Sequence, residues 1–123
     1  MARIYIVEDE PSLQKLYRSE LEAMGHEVLC KENGREAFRN HSNDRPDLVV
    51  LDIMMAEGDG MEFLMKILDS RMGIPVIINS AYTHYKNDFI SWAAEAYVVK
   101  SSDLTELKAQ IKKVLDRGQL AAV

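Results

Sequence analysis

The stretch Pro46, Asp47, Leu48, Val49, Val50, Leu51, Asp52 constrains the fold of this chain more than any other: four unbroken apolar residues, introduced by a proline and ended by a carboxylate. A strand covered on one face alternates apolar and polar side chains. A continuous branched aliphatic run is the pattern of a strand covered on both faces, central in a parallel sheet. In open parallel sheets chemistry gathers outside the carboxyl ends of the strands. Asp52 stands where such a strand stops and is the lead candidate residue, although aspartate is also an ordinary turn former.

Taken in order, the chain repeats this strand and then helix pattern. Ile4 to Val7 is an apolar run that ends on Glu8, Asp9 and Glu10, and Pro11 opens a helix with Leu13, Leu16, Tyr17, Leu21 and Met24 on one face and Gly25 as its stop. His26 to Cys30 reads as a strand; Asn33-Gly34 turns the chain into a short helix around Ala37 and Phe38 that dissolves into a polar loop from Asn40 to Arg45. After Asp52, Gly58 and Gly60 bracket a loop, and Met61, Leu64, Met65, Ile67 and Leu68 make the next helix before Gly73. Pro75 to Ile78 is a strand ending on Asn79 and Ser80, and Thr83 to Glu95 carries the least regular helical pattern. Ala96 to Val99 is the fifth strand, closed by Lys100. Asp103 is placed to cap the last helix with Glu106 as its box partner, Leu104, Leu107, Ile111, Val114 and Leu115 form its buried stripe, and Gly118 ends it. The expected fold is α/β: a doubly wound, five-stranded parallel sheet with five helices on its two faces.

A chain of 123 residues suits one domain, here residues 1–123, and buries about two-thirds of its unfolded surface. It contains no apolar run of the length a membrane span requires and no signal-peptide pattern, so a cytoplasmic protein without membrane contact is expected. The net charge of −5 argues against a nucleic-acid partner. Cys30 is the one cysteine, expected as an inert thiol in a strand, and His26, His41 and His84 lack zinc-ligand spacing. The methionines at 54, 55, 61 and 65 read as core filler.

A parallel sheet brings its carboxyl ends to one edge, where Glu8, Asp9, Asp52, Ser80 and Lys100 would meet. Three carboxylates crowded together repel and drive a pKa upward unless a cation joins them. Mg2+, or Mn2+ in its place, suits such a site, since it accepts a few carboxylates, keeps several waters and binds beside phosphate. Lys100 then supplies a point charge for a phosphoryl oxygen and Ser80 a hydrogen-bond donor.

Four short patterns occur in order on these elements: V-E-D-E at 7 to 10, L-D-I-M-M followed by G-D-G at 51 to 60, N-S-A at 79 to 81 and A-Y-V-V-K at 96 to 100. Together they resemble the receiver domain of bacterial two-component response regulators. The resemblance implies a flavodoxin-like sheet of strand order 2-1-3-4-5. It implies that Asp52 is the phosphoacceptor and that Asp9, Asp52 and the backbone carbonyl of Met54 are metal ligands, with Glu8 acting through water. It implies further that Ser80 and Lys100 contact the phosphate, that Tyr97 is the switch aromatic, and that Met54 and Tyr82 flank the phosphoryl group and slow its hydrolysis. The implied partners are a histidine kinase or histidine phosphotransfer protein and a separate downstream effector, with a homodimer as a further possibility. The implied output surface is the fourth helix, fifth strand and fifth helix. The implied activity is that of a phosphoacceptor that takes up phosphate itself and loses it slowly, rather than of a dedicated enzyme.

The chain departs from the family pattern at two prolines. Ser101 follows Lys100 where the family usually has a proline in a cis peptide, a bond that costs about 2.5 to 4 kcal/mol without proline. Ala56 replaces a proline in the loop after Asp52, and the segment from Ser80 to Lys100 is shorter than usual and lacks a glycine before the last strand. Two other readings accompany the leading one. One is a receiver-like interaction module that is not phosphorylated; the other is a magnesium-dependent phosphatase of the haloacid-dehalogenase type. The latter class carries an acid two residues after its nucleophile, where this chain has Met54.

Overall fold

The computed structural model describes residues 1–55, 59–81 and 93–121. Five strands are connected in the order expected: β1 (Arg3–Val7), β2 (Glu27–Lys31), β3 (Leu48–Leu51), β4 (Val76–Ser80) and β5 (Ala96–Val99). They form one sheet of order β2-β1-β3-β4-β5, and every neighbouring pair is parallel. Four helices lie among the described residues: α1 (Pro11–Ala23), α2 (Gly34–Asp44), α3 (Gly60–Asp69) and α4 (Thr105–Ala121). Most of the segment expected to form a helix over 83–95 lies outside the described residues, as do Tyr82 and Ala56.

The central strand accounts for the architecture. All four residues of β3 are buried. Leu48 and Val50 join Ile4, Ile6, Val28, Ile77 and Val98 in a core packed with Tyr17 and Leu21 of α1 and with Leu107, Ile111 and Val114 of α4. Val49 and Leu51 face the other way, into a core with Tyr5, Val7, Ala37 of α2 and Phe63, Leu64 and Ile67 of α3. The period-two alternation of a strand thus feeds two separate apolar layers, which is why no polar residue interrupts the run.

Several local expectations are corrected. The second helix continues through the polar stretch to Asp44; Asn33 caps it, accepting from the Glu36 amide at 2.8 Å. His41 is buried within it and stacks on Phe38 with ring centroids 4.6 Å apart, so an aromatic pair takes the place of an aliphatic stripe. On α3 the buried face is Phe63, Leu64 and Ile67, while Met65 and Leu68 point outward. Of the presumed core methionines, Met55 is buried and Met61 packs at the edge of the core, whereas Met54 and Met65 are exposed. Met24 is exposed as well. The last helix runs through Gly118 to Ala121. Asp103 does not form the expected box: its carboxylate accepts from the amide of Thr105 at 2.9 Å, while its own amide donates to Ser101 Oγ at 3.1 Å.

Candidate functional site

Three of the candidate side chains are fixed by backbone bonds that run just past the ends of the strands. The amide of Glu8 donates to the carbonyl of Lys31 at 3.0 Å, that of Asp52 to Val7 at 3.0 Å, and that of Lys100 to Ser80 at 2.7 Å. Each residue follows its strand directly, so the ladder sets where its side chain starts. Gly60 adds to this on the far side of the loop. A Cβ there would lie 2.6 Å from Ile53 Cα and 2.9 Å from the carbonyl oxygen of Asp52, so only glycine lets α3 start this close to the acceptor position.

Glu8 and Asp52 are buried, at 2% and 5% exposure, while Asp9 is exposed beside them. One carboxylate oxygen from each of Glu8, Asp9 and Asp52 lies within 4.8 Å of the others. The Lys100 ammonium stands 2.8 Å from Asp52 Oδ2 and 2.7 Å from Glu8 Oε1. Toward Glu8 this is a close ion pair to a buried carboxylate oxygen. Glu8 Oε2 accepts from the Glu10 amide at 3.1 Å, and Asp52 Oδ1 from the Met54 amide at 2.9 Å. Every peptide bond in the described residues is trans, including the one between Lys100 and Ser101.

Burial raises the Glu8 carboxyl above the ordinary glutamate value, and the bonds from Lys100 and Glu10 offset this only in part. Burial disfavours the Lys100 ammonium, yet its bonds to Asp52 and Glu8 outweigh that and hold its pKa above the usual lysine value. Glu8 and Asp52 share the Lys100 ammonium, with the Asp9 carboxylate beside them, in a partly desolvated place.

A hard divalent cation fits this donor set. All three groups offer oxygen, and their spacing is compatible with ligands at about 2.0–2.1 Å around a magnesium-sized ion that retains waters.

Ser80 is fully buried at the end of β4. Tyr97 lies opposite Ile78 in the β4–β5 register and packs against the core on the α3 side. Tyr82 lies outside the described residues.

Two contributors went unread in the sequence. Gln14 donates its carboxamide to the Glu8 carbonyl, and Asn79 Nδ2 donates to Tyr17 Oη at 3.0 Å in the buried layer beneath the site. A glutamine between the apolar positions Leu13 and Leu16, and an asparagine inside an aliphatic strand, were the available signals.

The family model described as the response regulator receiver domain matches residues 4–112. The chain belongs to the response regulator receiver family. Among curated relatives it is 29% identical over 122 residues to the alkaline phosphatase synthesis transcriptional regulatory protein PhoP of Bacillus subtilis, covering 98% of this chain and 51% of PhoP. It is 32% identical over 115 residues to the regulatory protein AtoC of Escherichia coli, covering 92% of this chain and 25% of AtoC. The receiver-family chain therefore spans about half or less of these relatives' length. Among solved structures it resembles the response regulator TrrA of Thermotoga maritima in complex with Mg(2+)-BeF, with 41% identity and a TM-score of 0.86 over 93% of this chain and 99% of that one. It also resembles a CheY-like receiver domain protein from Methanospirillum hungatei, with 28% identity and a TM-score of 0.89 over 98% of both chains. TrrA has further been solved in complex with the histidine kinase ThkA. No described helix is long and apolar enough to cross a membrane.

Proposed function

We propose that this receiver domain, spanning the 123 residues as one unit, accepts a phosphoryl group on Asp52 in a magnesium-dependent reaction and thereby switches a protein-binding surface. The observation that carries the reading is the trio of Glu8, Asp52 and Lys100 within 2.8 Å contacts, with Asp9 beside it. A carboxylate oxygen of Asp52 attacks phosphorus in line. The bond from phosphorus to its former carrier breaks, and the carrier leaves with the electron pair.

The residues divide the work. Glu8, Asp9 and Asp52, with the Met54 carbonyl, would hold Mg2+ (or Mn2+), which supplies charge neutralisation for the phosphoryl oxygens. Lys100 leaves its carboxylate partners in part and meets the new phosphate, and Ser80 donates its hydroxyl to another phosphoryl oxygen. The phosphate adds charge that these two groups must answer, and their rearrangement is passed to Tyr97 in the neighbouring strand. Met54, two residues beyond Asp52, offers no base to an attacking water and gives the phosphate a long life.

The donor is proposed to be a phosphohistidine on a histidine kinase or phosphotransfer protein, as the TrrA complex with ThkA suggests. The output is proposed to act through protein contacts, on a separate effector or a second copy of the chain, at β5, α4 and the segment preceding β5. A haloacid-dehalogenase-type reaction would need an acid where Met54 stands, and a thioether cannot protonate a leaving group.

The test is intact-mass spectrometry after incubation with Mg2+ and acetyl phosphate. One added phosphate on the wild type, absent in Asp52→Ala and blocked by chelator, is the expected result. A folded wild type that takes up neither phosphate nor beryllofluoride would instead favour an interaction module that is not phosphorylated.

A further inference from the structure

Beneath the acidic edge, between the sheet and α1, the described residues include a buried polar link. Asn79 Nδ2 donates to Tyr17 Oη at 3.0 Å, and the two residues are 3% and 2% exposed. Their neighbours in that layer include Leu21, Val50, Ile77 and Val98. An amide and a phenol in such a place cost stability unless they satisfy each other, and apolar residues of similar size would fill it at least as well. Packing alone does not call for the pair.

Its position suggests what it is for. Asn79 directly precedes Ser80, and successive strand residues face opposite sides of the sheet. One end of the two-residue unit is therefore tied down to α1 while the other carries the buried hydroxyl at the site. The Ser80 carbonyl in turn accepts the Lys100 amide at 2.7 Å, so a shift at the end of β4 reaches the lysine backbone as well. Helix α1 is a firm anchor, because Gln14, one turn before Tyr17, holds the Glu8 carbonyl.

We propose that Tyr17 is a positioning residue for phosphoryl transfer: through Asn79 it holds the carboxyl end of β4, and with it Ser80 and the start of Lys100, at working distance from Asp52. The proposal rests on the phosphoacceptor reading above. Tyr17 touches neither donor nor metal and acts only through the strand.

The experiment compares the wild type with Tyr17→Phe and with Tyr17→Phe/Asn79→Leu, in which no buried polar group is orphaned and stability is largely regained. Two quantities are read: the rate constant for phosphorylation of Asp52 at saturating acetyl phosphate and Mg2+, and hydrogen exchange at the Lys100 amide. Loss of one neutral hydrogen bond's worth of positioning corresponds to about a three- to tenfold slower rate. We expect that loss in both variants, with magnesium affinity unchanged and exchange at Lys100 accelerated ahead of the β1 and β3 amides. A double variant with wild-type rate and wild-type exchange at Lys100 would overturn the proposal and leave a packing role only. A wild type that takes no phosphate would overturn the phosphoacceptor reading, and the exchange data would still decide whether the tether holds the strand.

Discussion

Lys100 Nζ stands 2.8 Å from Asp52 Oδ2 with Ser101, not proline, behind it and a trans peptide between the two. The lysine reaches the acid because its own amide is fixed to the Ser80 carbonyl, one strand from β3. The long side chain then spans the gap between strands, and both carboxylates draw its head inward. The approach is set by the β4–β5 register rather than by the residue that follows the lysine.

That ammonium is the one described cation in contact with Glu8 and Asp52. Replacing it in Lys100→Met leaves two buried carboxylates facing each other, and we expect a loss of about 2 to 4 kcal/mol, tempered by the partial exposure of the site. Urea unfolding without divalent ions measures it. Added Mg2+ should return more stability to the variant than to the wild type.

The opposite charge change should behave in the opposite way. Asp52→Asn removes one of three crowded acids and keeps an acceptor for Lys100, so stability in metal-free buffer should be unchanged or higher by about 1 kcal/mol. A loss of more than this in the same titration would contradict the repulsion argument.

Magnesium affinity should depend on pH through Glu8. Because burial raises its carboxyl above the ordinary value of 4.5, the proton must be displaced by metal at a pH where exposed glutamates are already ionised. We expect affinity, read by calorimetry between pH 5 and 8 (about the range where most domains stay folded), to weaken as pH falls, and Glu8→Gln to flatten the curve.

A second pH effect lies at the opposite edge of the sheet. His26 Nδ1 accepts from the Ala2 amide at 3.1 Å, and burial lowers its pKa below the ordinary 6.5. The unfolded chain therefore takes up the proton first: the contribution is complete above 6.5 and is lost as pH falls through the lower, folded value. His26→Gln, which keeps an acceptor, should remove that slope from a stability against pH profile.

Gly60→Ala tests how closely the loop is packed. Its Cβ would meet Ile53 Cα at 2.6 Å, backbone that cannot step aside as a side chain does. We expect a cost of about 1 to 3 kcal/mol together with slower phosphorylation, since the same shift moves Asp52. Circular-dichroism melts and the mass assay measure the two effects.

The sheet was legible in the sequence because four strands are unbroken or nearly unbroken aliphatic runs ending on polar residues, and the candidate edge could be assembled from those endings alone. What could not be read was polarity serving as structure. Asn40 to Arg45 looked like a loop, yet His41 packs on Phe38 and Asp44 accepts from Tyr5 Oη at 2.6 Å and pairs with Lys31 at 3.2 Å. Asn79 looked like a strand terminator and is a core partner of Tyr17. On α3 the four methionines and leucines chosen by hydrophobicity competed with Phe63, and Met65 and Leu68 lost. Hydrophobicity does not distinguish a thioether that fills a core from one that faces water.

The pairing of Lys100 with Asp52 joins residues 48 positions apart. During synthesis Glu8 and Asp52 are made long before Lys100, and the β1–β3 pairing can bring them together while β5 does not yet exist. A domain with β1 and β3 paired before β5 docks would hold its acids together without the lysine that faces Glu8 and Asp52. A phosphate analogue that contacts Lys100, and so needs that strand, should slow unfolding and leave the folding rate almost untouched.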